Sequence, residues 1–347
     1  MKKIKIVIRI IIVFLLMFNV TIMTLSHQQT NEDYSNWMRD SIDPQHPVTE
    51  IVMLGAHNAF SSEINYFSEP GIDAHDIFSH PAAFPIKGYL IRQSVTQRAS
   101  TKELLEDGIR YFDMRLTYKN HQFYTVHNYM SEPLEDVLQA FQDFHESIHG
   151  EFILIDIQHI SGVDYQSVEH YQSLMEVFHT YDMIEESFFE PTIPLHSVTF
   201  GDVTNNKQKT SYVILDKFDV EHKETYQYVS NMRSSWPNKD RAEDIINYLV
   251  DESNMIAQMD KNTLNFRVMQ AVATTALNVR GVMKSIMDWS VIHRATRLNQ
   301  MLYDHESFER WMTTMPIIML DFTNNNTNGL LDDYMSRIIS YNQAFFD

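Results

Sequence analysis

The stretch Ile109-Arg110-Tyr111-Phe112-Asp113-Met114-Arg115-Leu116 has the alternation of a β-strand and carries charge on one of its faces. Successive side chains of a strand point to opposite sides. Tyr111, Asp113 and Arg115 therefore share one face, and Phe112, Met114 and Leu116 share the other. The apolar face can pack under helices. The other takes ionisable groups inward, where each costs several kcal/mol unless it is paired.

The same division recurs on either side of this stretch. In Glu50–His57, residues Ile51, Met53, Gly55 and His57 align. In Phe123–His127, it is Phe123, Thr125 and His127. Phe152–Gln158 opposes Leu154, Asp156 and Gln158 to Ile153, Ile155 and Ile157, and Pro316–Phe322 aligns Ile317, Met319 and Asp321. Tyr212–Lys217 and Phe266–Ala273 are further apolar runs. Helical spacing lies between them, as in Leu134, Val137, Leu138, Phe141, Phe144 and Ile148, in Val168, Tyr171, Met175 and Phe178, and in Leu331, Tyr334, Met335, Ile338 and Ile339. Ser100-x-x-Glu103 is a capping box opening a short helix through Glu106. Strands alternating with helices imply parallel pairing and right-handed crossovers. The expected fold is a single-domain α/β protein, an irregular TIM (β/α)8 barrel. An open doubly wound sheet is the alternative, but the Gly-rich phosphate turn it would normally show is absent. In a barrel the polar strand ends converge on one site.

The remaining chain sets limits. Of 347 residues, 44% are hydrophobic and 21% charged, enough for a large core. The net charge of -19 argues against nucleic acid as a partner. With no cysteine, disulfides, thiolate nucleophiles and Cys-type zinc sites are excluded. Lys2, Lys3, Lys5 and Arg9 before an apolar run read as a signal peptide or signal anchor over residues 1–26, which implies a secreted protein or one held on the outer face of the cytoplasmic membrane. Residues 27–45 read as a linker and 46–347 as the barrel. Ser61–Gln97, with Pro70, Pro81 and Pro85 and little periodicity, reads as an active-site loop.

Taken singly, each polar residue has a plain structural reading. His57 could cap a loop, and His127 is one histidine among sixteen. Asp113 and Arg115 could be an internal ion pair, and Asp321 an Asx-turn residue ahead of Asn324. Gln158 and Lys217 are weaker still. Their order is more telling. Leu54-Gly55-Ala56-His57-Asn58, Ser94-Val95-Thr96-Gln97, the Gly108–Arg115 run and Tyr124-Thr125-Val126-His127-Asn128 together resemble the X-domain of the phosphatidylinositol-specific phospholipases C. The likeness extends from about Glu50 to Asp321.

That resemblance implies phosphodiester cleavage through a cyclic inositol phosphate. His57 would be the general base, His127 the general acid, Arg115 the cation at the phosphate and Asp321 the support of His57. Asn58, Asp113, Gln158 and Lys217 would serve substrate binding. The implied partner is a phospholipid or glycolipid head group at a membrane surface, with no obligate protein partner. The chemistry is coherent by itself, because two imidazoles can exchange protons near neutral pH and an arginine can act as the electrophile. Three positions depart from the family's patterns. Asn58 stands where bacterial members usually carry Asp, and Gln158 where they often carry Lys. His-Asn is typical of calcium-dependent relatives, yet those place a carboxylate where Arg115 stands. No metal or other cofactor is therefore expected, with calcium the lesser expectation. Two alternatives remain open: a non-catalytic barrel that binds lipid or inositol phosphate, and a metal-dependent phosphodiesterase on the same fold.

Overall fold

The computed structural model describes residues 32–185, 193–260, 265–274 and 291–346. The expected signal segment, 1–26, lies outside them, as do residues 27–31. Among the described residues no helix is long and apolar enough to cross a membrane.

The strands are β1 (Met53–Ala56), β2 (Tyr111–Lys119), β3 (Gln122–His127), β4 (Tyr129–Pro133), β5 (Phe152–Ser161), β6 (Ser211–Asp216), β7 (Tyr226–Gln227), β8 (Met232–Ser234), β9 (Phe266–Ala271) and β10 (Ile317–Leu320). Their order is β7-β6-β5-β2-β1-β10-β9-β8, parallel at every step. This is the curled parallel sheet of an irregular TIM barrel. The ends of the path, β7 and β8, are joined by the short helix Tyr228–Asn231 and leave a seam in the wall.

Continuous apolar runs form these strands because both faces are covered. Phe112 packs outward between Phe60 and Phe141, the latter on the helix Leu134–Ser147. Tyr111 points inward, against β1. A Cβ at Gly55 would lie 2.5 Å from the Tyr111 ring, so only glycine fits there. The capping box forms as expected: Ser100 and Glu103 bond each other's backbone N–H groups at the start of Thr101–Glu106.

Two expectations are corrected. Phe123–His127 is not a wall strand. It runs antiparallel to β2 and pairs with β4, so His127 reaches the site on a hairpin standing above the barrel. The turn at Lys119–Gln122 is too short for a crossover, which forces this geometry. Residues 32–45 are not a linker either. Trp37, Met38 and Ile42 are buried on the helix Trp37–Ser41 and its flank. The Trp37 indole donates to the Gly108 carbonyl at 2.9 Å. The Arg110 guanidinium spends its five N–H groups on Glu151 and the carbonyls of Leu105, Ile109, Tyr34 and Ser35. Glu151 in turn accepts from the backbone N–H groups of Met38 and Arg39. A buried ion pair thus fastens this segment to the foot of β2.

Candidate active site

The strand ends bring His57, Asp113, Arg115, His127 and Asp321 together. Asp321 follows β10 and His57 follows β1, its neighbour in the sheet. The His57 backbone N–H donates to the Leu320 carbonyl at 3.0 Å, fixing their register. His57 Nδ1 lies 2.6 Å from an Asp321 carboxylate oxygen. That contact places the proton on Nδ1 and leaves a lone pair at Nε2. The Asn299 side chain donates to the Asp321 carbonyl at 3.0 Å and steadies its backbone.

Asp113 lies beneath the ring. It accepts from the Asn58 backbone N–H at 3.0 Å, sits 3.8 Å from His57 Nε2 and 3.6 Å from Arg115 Nε. Its side chain is 0% exposed, against 13% for His57 and 35% for Arg115. Asp113 thus lies below the more exposed His57 and Arg115. Asn58 is also buried, with its side-chain amide 2.8 Å from His57 Nε2. Both residues, expected to bind substrate, are buried beside His57.

His127 faces His57 edge-on, with ring centroids 5.9 Å apart and planes at 68°. Its Nδ1 donates to the Ser94 carbonyl at 2.8 Å, which aims Nε2 elsewhere. Burial, then the nearby His57 and Arg115 charges, push its pKa down to about 3, against the bonding of Ser94. The imidazole is neutral in the free site. One consequence concerns stability. The unfolded chain binds the His127 proton below about 6.5, the folded chain only near about 3. Between those values the unfolded state holds more protons, so stability falls as pH falls. His127→Asn should flatten the pH dependence of the urea midpoint between pH 6.5 and 4. An unchanged slope would count against a neutral His127.

Gln158 and Lys217 lie across the barrel mouth. The β2–β5 register shifts after Met114 and Ile157, making Gln158 the extra residue of a bulge. Its amide donates to Asp156 at 3.2 Å. Lys217 Nζ lies 4.7 Å from the centre of the Tyr228 ring, and burial lowers its pKa. Asp156 was visible on the polar face of its strand but had no assigned role. It is fully buried, accepts from the Tyr111 hydroxyl at 2.6 Å, and burial raises its pKa to about 7. Tyr228 sits in the seam helix and has no sequence signal. Several buried polar atoms here have no hydrogen-bond partner: Asn58 Oδ1, Asp113 Oδ1, Asp156 Oδ1 and Arg115 Nε. Such orphans are expensive and concentrate where a ligand is to be held. Among the described residues no three His, Asp or Glu side chains form a metal-sized group.

His57, His127 and Asp321 share a backbone device. Each is followed by a residue with positive φ: Asn58 at 42°, Asn128 at 62° and Phe322 at 49°. Asparagine tolerates this region, which suits the residue type in both His-Asn pairs. Phe322 does not, and its N–H is held by the Thr96 carbonyl at 2.7 Å.

No protein-family model matches the chain. A stretch of 163 residues is 31% identical to the variant-surface-glycoprotein phospholipase C of Trypanosoma brucei brucei, spanning 41% of this chain and 45% of that protein. A longer stretch of 258 residues is 24% identical to the PI-PLC X domain-containing protein 2 of Mus musculus, 72% of each chain. The chain spans about half the length of the first curated relatives it matches. In fold, the phosphatidylinositol-specific phospholipase C of Staphylococcus aureus matches 90% of this chain and 99% of its own, with TM-score 0.62 and 14% identity. The enzyme of Listeria monocytogenes matches 89% and 99%, with TM-score 0.57 and 15% identity. Relatives in sequence and neighbours in fold point the same way: the chain is similar to PI-PLC X-domain proteins and shares the fold of the bacterial phosphatidylinositol-specific phospholipases C.

Proposed function

We propose that this chain is a phospholipase C-like phosphodiesterase that cleaves an inositol phospholipid or glycolipid through a cyclic phosphate. The observation that carries the reading is the pair of imidazoles 5.9 Å apart, one backed by Asp321 and the other beside Arg115. His57 Nε2 takes the proton of a headgroup hydroxyl. The freed oxygen bonds to phosphorus, and the bond to the lipid oxygen breaks. His127, once protonated, returns a proton to that leaving oxygen. Its pKa in the empty site is low, so the phosphodiester anion must supply the opposite charge that makes it an acid. Arg115 holds a non-bridging oxygen as charge builds there. Gln158 and Lys217, both half-buried, are the polar groups left for the ring hydroxyls.

The test is release of diacylglycerol and a cyclic phosphodiester from phosphatidylinositol vesicles, followed by phosphorus NMR, with and without chelator. Full activity in chelator is expected. Loss of turnover in chelator would favour a metal-dependent site, and absence of turnover across inositol lipids would sink the proposal. A headgroup-binding barrel without catalysis is the second reading. The Asn58 amide favours it, because it occupies the lone pair the base needs. Saturable inositol phosphate binding without turnover would establish that role.

A lipid surface is the proposed setting, outside the cytoplasmic membrane. Tyr66, Phe67 and Phe84 are exposed, Phe67 at 91%, and pack ring to ring on the loop that supplies Ser94 and Gln97. Phe67→Ser with Phe84→Ser should weaken vesicle association about tenfold or more, since each buried ring contributes roughly 1.5–3 kcal/mol. Turnover of a soluble cyclic inositol phosphate should stay at the unmodified rate. Unchanged vesicle binding would remove the patch from the interface.

A further inference from the structure

Ser94 ends the helix Lys87–Ser94 and Val95-Thr96-Gln97 follow it as a loop; far in sequence from His57, the run reaches the turns after His57, His127 and Asp321. The Ser94 carbonyl holds His127 Nδ1 at 2.8 Å, and the Ser94 hydroxyl accepts from Asn128 at 3.3 Å. The Thr96 hydroxyl donates to the carbonyls of His57 at 3.0 Å and Asn58 at 3.3 Å. The Thr96 carbonyl takes the Phe322 N–H. The Gln97 side chain bridges the two neighbouring strands. Its amide donates to the His57 carbonyl at 3.2 Å and the Leu320 carbonyl at 2.9 Å, and its oxygen accepts from the Thr323 N–H at 3.0 Å. Ser61 Oγ anchors the run from the other side, accepting from the N–H groups of Thr96 and Gln97 at 3.0 and 3.1 Å.

Ser94, Thr96 and Gln97 are all buried. A buried polar side chain is costly unless satisfied, and satisfaction alone would explain one such residue. Here the Thr96 and Gln97 side chains both bond the His57 carbonyl, while the main-chain carbonyls of Ser94 and Thr96 hold the His127 ring and the residue after Asp321. We propose that residues 94–97 form one bracket that sets the spacing of His57 and His127, with Thr96 and Gln97 as positioning residues. The proposal rests on the phosphodiesterase reading for its kinetic consequence, but not for its geometry. A proton moved between two imidazoles and a reacting phosphate tolerates little error, and about 1 Å of misplacement costs roughly 100-fold.

The experiment uses the whole chain and two readouts. Thr96→Val keeps shape and removes the hydroxyl, Thr96→Ser restores it, and Gln97→Leu removes the strand bridge. With folded fraction measured for each, Thr96→Val and Gln97→Leu should lower kcat about 100-fold with KM nearly unchanged, and displace a limb of the pH–rate profile. Thr96→Ser should recover to within a few-fold. Nitrogen-15 NMR of the imidazoles should show both His57 and His127 displaced in Thr96→Val and both restored in Thr96→Ser. The bracket is overturned if activity per folded molecule is unchanged, or if the His127 ring stays put when Thr96 is altered. If the unmodified protein turns over no inositol lipid, the phosphodiesterase reading fails, and the ring resonances still decide the bracket.

Discussion

His57→Ala is expected to lower turnover of an inositol phospholipid by roughly 10²–10⁴-fold, the range a positioned general base supplies. KM should move little, because His57 acts on the proton in transit and contributes little to ground-state binding. Asp321→Asn should cost a large part of the same factor. The neutral amide accepts more weakly than the carboxylate 2.6 Å from Nδ1 and can present its NH2 there instead, so the ring loses its fixed tautomer. The two residues act as a unit, and the double variant should be scarcely slower than His57→Ala. Steady-state kinetics on mixed micelles read both effects. Near-native turnover in His57→Ala would remove it from the base role. Fully additive losses would separate Asp321 from it.

The second large effect concerns stability. Arg110→Met should destabilise the fold by about 3–5 kcal/mol, the usual result of stranding one partner of a buried ion pair. Both side chains of the Arg110–Glu151 pair are 0% exposed, at 2.8 Å. Replacing both partners often rescues such a site. Here it should not, because Arg110 also donates to four carbonyls, each of which would lose that bond. Urea midpoints for Arg110→Met and for Arg110→Met/Glu151→Leu decide this. Earlier proteolytic cleavage near Trp37 should accompany the loss. A double variant as stable as the unmodified chain would reduce Arg110 to an ordinary ion pair.

What could be read in the sequence follows from period. Tyr111–Leu116 and Phe152–Gln158 are long enough to show alternation, so their faces and their inward Asp113, Arg115 and Asp156 were legible. β7 and β8, with two and three residues, offer no period to read. The hairpin that carries His127 looks like any other strand until its turn length is weighed. Depth was not legible either: alternation says that Asp113 points inward, not that it is fully buried. The Ser94 carbonyl was hidden for another reason. It acts through the main chain, which every residue type possesses.

The seam between β7 and β8 has a consequence for solubility. A complete barrel has no free strand edges, whereas among the described residues the wall of this one ends in two, at β7 and β8. An open edge is a template on which a second chain can add a strand and begin to aggregate. The shortness of β7 and β8 leaves almost nothing to copy, and the helical turn Tyr228–Asn231 interrupts what remains. Lengthening β8 with β-branched residues would regularise the wall and, by the same step, create an adhesive border.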